Sequence, residues 1–256
     1  TKQLLNNGNK AYKRGDLDKA TDFYKKATKY DETFYLAFYQ LGVLEKKIGN
    51  SEDAISYFNK AISIKPDFHK AWFTLGTSYE VDNNLDSAIV KYEKAIELNP
   101  GYTKAYSNLG NIHLIQKNYD IARDVLLTAI QIDPEYADAY LRLGVVYSEQ
   151  ELFEEAAEQF KKSTKYDLKN HDAWFRYASS LNAIDNFSEA SIAAQKCIDL
   201  KSNFGGGWYE KGVAEMKSGK KTRALKYFDE ANKDRDWRKL AQRKIDEINN
   251  PTKYQK

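Results

Sequence analysis

Small and large apolar residues alternate with polar ones in a pattern that returns every 34 residues. Counting from Thr1, position 8 holds Gly8, Gly42, Gly76, Gly110, Gly144, Ala178 and Gly212. Position 20 is Ala20, Ala54, Ala88, Ala122, Ala156, Ala190 and Ala224, and position 27 is small throughout, ending in Ser163, Cys197 and Ala231. Bulk returns at position 4 (Leu4, Phe38, Trp72, Tyr106, Tyr140, Trp174, Trp208) and at position 24 (Tyr24, Phe58, Tyr92, Leu126, Phe160, Ala194, Phe228). Positions 4, 7, 8 and 11 are three and four apart, one face of an α-helix, and 20, 24 and 27 repeat that spacing on a second helix. Polar turns such as Gly15-Asp16-Leu17 and Gly49-Asn50-Ser51 separate the two, where glycine or asparagine takes a positive φ. Proline at position 32 (Pro66, Pro100, Pro134) is expected to stop the second helix.

Each unit therefore reads as a helical hairpin that buries its apolar face only by stacking on its neighbours. The glycine and alanine columns let backbones approach, and the large residues fill the space beside them. The expectation is an all-α array of seven hairpins, 1–34, 35–68, 69–102, 103–136, 137–170, 171–204 and 205–238, followed by a capping helix and tail at 239–256. Trp237, Leu240, Ala241, Ile245 and Ile248 share one helical face of that cap, and Pro251 is expected to end it. Hairpins 6 and 7 depart most: Ala178 replaces glycine, Ala194 a large residue, Lys211 leucine, and Gly205-Gly206-Gly207 precedes Trp208. That junction reads as a poorly matched terminal unit or as a hinge.

Over residues 1–238 these columns resemble the tetratricopeptide signature, W-x₂-L-G-x₂-Y…A-x₃-F…A…P at a 34-residue period. The resemblance implies a right-handed α-solenoid superhelix whose first helices line a concave groove, chiefly through positions 2, 5, 6, 9, 12 and 13. It further implies that partners bind there. The groove positions hold Tyr12, Tyr39, Val43 and Phe73 in hairpins 1–3, Asn108 and Asn111 in hairpin 4, then Arg142, Phe175, Arg176 and Tyr209. Tyr39 and Phe73 are expected to centre the interaction surface, because both are aromatic where the repeat needs no core residue. The carboxylate clamp of chaperone-binding relatives is matched only at Asn9 and Lys70, and a peptide-holding asparagine ladder is broken, with Asn6 and Asn108 isolated. Arg142 and Arg176 either fork an anion or pair with Asp138 and Asp172 four residues earlier.

Composition narrows the function. With 42% hydrophobic and 30% charged residues, and no apolar run near the ~18 residues of a membrane span, the chain reads as globular, without membrane insertion. Net charge is +3, but residues 131–200 carry 7 basic and 13 acidic side chains and residues 201–256 carry 15 and 8. That asymmetry is either solvated surface or a site for an anionic partner at the C-terminal end. His69, His113 and His171 are dispersed, Cys197 lies in the buried small-residue column, and Lys217–Thr222 lacks the spacing of a phosphate loop. No catalytic residue, metal or cofactor is expected. The start at Thr1 predicts an excised or processed fragment, so a missing signal peptide carries no weight. A cytoplasmic setting is favoured, with the periplasm or cell envelope as the alternative.

The reading is a non-enzymatic interaction scaffold or assembly factor for other proteins or extended peptides. Self-association remains open and nucleic acid is not expected. The alternatives are the recognition arm of a larger enzyme and a secretion or cell-envelope assembly component.

Overall fold

A computed structural model describes residues 1–254; the last two residues of the predicted tail lie outside it. Among the described residues the regular structure is entirely helical. The helices run in consecutive antiparallel-type hairpins: α1 (Lys2–Lys13) with α2 (Leu17–Tyr30), α3 (Tyr35–Ile48) with α4 (Ser51–Ile64), and α5 (His69–Val81) with α6 (Leu85–Leu98). There follow α7 (Thr103–Ile115), α8 (Tyr119–Ile132), α9 (Ala137–Glu149) with α10 (Phe153–Tyr166), α11 (His171–Ala183) with α12 (Phe187–Leu200), and α13 (Gly205–Lys217) with α14 (Lys221–Asn232). The described chain closes with α15 (Arg238–Asn249), which stops before Pro251 as expected, and α16 (Pro251–Tyr254), a further helical turn that Pro251 opens. It divides into two compact units, Thr1–Ile112 and His113–Lys256.

Local chemistry sets the helix ends. Every turn inside a hairpin carries a left-handed residue at position 15: Gly15, Gly49 and Gly219, but also Asn83, Lys117, Glu151 and Asp185 with φ between 56° and 61°. Side chains then cap several of the helices that follow, as when Asp16 accepts from the Lys19 N–H and Asn186 from the Glu189 N–H. The second helices α2 to α12 end the same way with or without proline, whereas α14 ends at Lys233 in the right-handed helical region. Asp31, Lys65 and Lys201 all turn extended and donate their N–H to the carbonyl of position 27. The stop therefore lies in the conserved backbone path, and the prolines only reinforce it.

The core follows the small-and-large columns. The position 20, 24 and 27 side chains of α2, α4, α6, α8, α10, α12 and α14 are all at most 1% exposed. Each ring at position 24 lies over the position 8 glycine of its own hairpin, and a Cβ on Gly42 would sit 2.6 Å from Phe58 Cε1. Hairpin 6 inverts that arrangement: Ala178 supplies the methyl, Ala194 gives up the ring, and buried Tyr177 fills the cluster from the first helix, its hydroxyl donating to Glu189. The two departures are one reciprocal exchange.

The three glycines before Trp208 are not a hinge. Gly205, Gly206 and Gly207 lie buried inside α13, where added Cβ atoms would strike Asp234 and Trp237, Phe204 and Trp237, and Cys197 and Ile198. The α14–α15 connection packs directly on them, and Asp234 Oδ2 accepts the Gly205 N–H at 2.7 Å. On α15, Ala241, Ile245 and Ile248 pack against Phe228, Ala231 and Val213, as a cap should. Leu240, expected on that face, is 45% exposed, because at about 100° per residue it falls beside the stripe that Ala241, Ile245 and Ile248 form.

Candidate functional site

Where position 5 of a first helix is aromatic, it packs beside two other rings. In hairpin 2, Tyr39 packs edge-on against Phe68 at 5.1 Å and leans on the core ring Phe58 at 5.8 Å. In hairpin 3, Phe73 meets Tyr102 at 5.0 Å and Tyr92 at 5.5 Å. Position 1, one helical turn earlier, closes the same clasp: Tyr35 on Phe68 and His69 on Tyr102, each at 5.0 Å. Position 34 thus supplies a ring held between two side chains of the first helix. Edge-to-face geometry adds about 0.5–1.5 kcal/mol per pair beyond burial. The column Phe34, Phe68, Tyr102, Tyr136 and Phe204 was visible in the sequence, yet the sequence reading assigned it no role.

Tyr39 and Phe73 remain half-buried, neither sealed in the core nor fully open. Polar bonds between successive first helices fix the surface around them. Tyr39 Oη and Thr74 Oγ1 lie 3.2 Å apart, and Lys46 Nζ donates to Thr77 Oγ1. Burial holds the Lys46 ammonium below its usual range, while the Glu80 and Asp82 carboxylates pull it the other way. Tyr12 lies under the Lys47 ammonium, 4.6 Å from its ring centre, and Val43 packs half-buried beside Leu75 and Phe58.

Asn108 and Asn111 do not stand apart. Asn108 Nδ2 donates to Tyr92 Oη at 3.1 Å, Tyr92 donates to Glu80 Oε2 at 2.6 Å, and Asn111 Nδ2 reaches Glu80 Oε1 at 3.4 Å. Asn108 and Asn111 are thereby joined through Tyr92 and Glu80, their amides engaged by the chain itself.

In the second unit, Arg142 Nε donates to Asp138 Oδ2 and Arg176 Nε to Asp172 Oδ2, each at 2.8 Å. The arginines hold partners on their own helices, which is the i,i+4 alternative. Phe175 and Tyr209 both pack on Trp237, at 5.4 and 5.2 Å, and Phe204 meets the same indole at 6.0 Å. Trp237 therefore fills the first-helix face at hairpins 6 and 7, a role the sequence does not announce because it falls one residue short of position 34.

On α13, facing α11, Glu210 is almost fully buried, and desolvation pushes its carboxyl up to about 7 although Asn182 and Ser179 hydrogen bonds pull it down. Asn182 Nδ2 donates to both the Glu210 carbonyl and Oε2, at 2.9 and 2.8 Å. Elsewhere, burial raises the Cys197 thiol to about 12, unfit for a nucleophile at neutral pH. Among the described residues no group of three or more His, Cys, Asp or Glu side chains is placed to hold a metal, and no helix is long and apolar enough to cross a membrane.

Known proteins place this arrangement. Residues 35–68 and 137–170 each match a tetratricopeptide repeat model, and residues 82–117 and 110–151 match a TPR repeat model. A search of curated proteins finds no match. Among solved structures, MamA is 30% identical, with 63% of this chain and 95% of that chain aligned at a TM-score of 0.57. YrrB, described as a TPR protein with an unusual peptide-binding site, is 22% identical over 73% of this chain and 96% of that one, at 0.63. PilF of Pseudomonas aeruginosa is 22% identical over 79% and 92%, at 0.70. With its repeating glycine, alanine and aromatic columns folded into tandem helical hairpins, the chain belongs to the tetratricopeptide repeat family.

Proposed function

We propose that the chain is a non-enzymatic protein-interaction scaffold, and that an extended segment of a partner protein lies along the first-helix face of residues 1–112. The observation that carries this reading is the state of Tyr39 and Phe73. Both rings are half-exposed, yet Phe68 and Tyr102 hold them edge-on, and bonds between successive first helices brace the surface around them. A surface ring already fixed in place loses little freedom on binding, which is how aromatic anchors contribute most to affinity. The same fold carries a peptide-binding site in YrrB, which supports a peptide as the occupant.

The test is to immobilise the chain and a Tyr39→Leu/Phe73→Leu variant and identify the proteins each retains from native extract. Leucine keeps most of the volume that supports Phe58 and Tyr92. Proteins held by the original chain and lost by the variant, at an unchanged circular dichroism spectrum, support the reading. Equal retention by both rules out this face.

A further inference from the structure

We propose a second binding site, for an acidic peptide segment of a partner protein, in the cleft where the α14–α15 connection meets the outer face of α15. The inference rests on the scaffold reading above. The cleft has a volume of about 580 Å³ and takes Asn232 from the end of α14, Arg235 from the connection, and Arg238, Lys239, Gln242 and Arg243 from α15, with Asp246 at its edge. Residues 238, 239, 242, 243 and 246 share one side of α15, opposite the apolar side that covers hairpin 7. Four cations and two side-chain amides thus converge on one concavity.

Nearby carboxylates offset only part of this charge. Asp234 is spent on backbone, accepting the Gly205 and Asp236 N–H groups at 2.7 and 3.0 Å. Asp246 accepts from Gln242 at 3.0 Å, and Asp236 lies 3.5 Å from Arg235. Among the described residues Arg238, Lys239 and Arg243 form no ion pair. Arg238 Nε donates to the Asn232 carbonyl at 3.2 Å, which anchors one edge of its guanidinium. The first turn of α15 has no acidic residue and no side-chain cap, so its positive end adds to the field instead of being offset.

Arginine forks match carboxylates two bonds at a time. A nucleic acid fits less well. Among the described residues no aromatic side chain lines the cleft for base stacking.

The experiment measures fluorescence anisotropy of a labelled oligo-glutamate peptide with the full chain, beside an oligo-glutamine peptide of equal length. Binding of the glutamate peptide alone, weakened by salt and at least about tenfold by Arg238→Glu/Arg243→Glu, supports the site. The milder Arg238→Gln/Arg243→Gln should fall between, and circular dichroism confirms that each variant folds. Three results overturn the proposal: no binding at low salt, equal binding by the variants, or tighter binding of an oligouridylate of the same charge or of anionic lipid vesicles. The Tyr39→Leu/Phe73→Leu chain should bind the glutamate peptide normally, so failure of the aromatic face and failure of this cleft read out separately.

Discussion

Gly42 and Phe58 occupy one volume between them: a β-carbon on the glycine would lie 2.6 Å from the phenyl Cε1 and 2.7 Å from Cδ1. Hairpin 6 shows the alternative solution, Ala178 with Ala194. Gly42→Ala should therefore destabilise by about 1–3 kcal/mol, and Phe58→Leu in the same chain should recover part of that loss. Urea midpoints for the two single variants and the double variant test the coupling; strict additivity would show that the residues do not share space.

The turn residues give an opposite sign. Glu151 holds φ at 60° without a glycine, a conformation that costs an ordinary residue roughly 1–2 kcal/mol. Glu151→Gly should stabilise by about 0.5–1 kcal/mol after the extra chain entropy of glycine is set against it. Gly49→Ala, at φ 90°, should destabilise by a similar amount. Thermal melts of the pair would reveal whether position 15 is governed by backbone conformation.

Glu210 makes stability depend on pH. Its carboxyl titrates near 4.5 in the unfolded chain and near 7 in the folded one, so the folded state binds the proton more tightly. Its contribution is complete below pH 4.5 and is lost as pH rises through 7. The loss is on the order of a few kcal/mol. Glu210→Gln should flatten this slope, so that its urea midpoint exceeds that of the parent at alkaline pH by more than at acid pH. Parallel profiles would mean the buried carboxyl is already compensated.

Removing residues 237–256 should uncover Phe228, Ala231, Tyr209 and Val213 and withdraw the indole that packs on Phe175. The truncated chain is expected to melt lower or to self-associate, by calorimetry and light scattering. A monomeric, equally stable product would make α15 a dispensable appendage. Trp237→Ala alone should lower stability by ~2–3 kcal/mol, since a partly exposed ring loses less than a fully buried one.

The hairpins and their core were legible because buried positions accept a narrow range of sizes. Ala20 to Ala224 declare their burial by constancy, and position 24 by its large apolar side chain in every hairpin but the sixth. The face around Tyr39 was legible only in part. Position alone identified the ring, but not Phe68 against it, because that residue lies outside both helices and belongs to no helical period. Lys46–Thr77 and Glu80–Asn111 join residues 31 apart, each pair chemically ordinary, and only the stacking of one hairpin on the next brings them within reach. Ala178 and Ala194 looked like two defects because a column-by-column reading scores positions singly.

The pairing of the position 8 glycine with the position 24 ring of the same hairpin, wherever both are present, has a kinetic side. Partners so near along the chain meet after closing a short loop, at little entropic cost and without waiting for distant segments. Folding within each unit can then start at more than one hairpin and spread to its neighbours. Amide hydrogen exchange should report a graded profile in residues 1–112, with protection rising from α1 toward α5, and no single event that opens the unit at once.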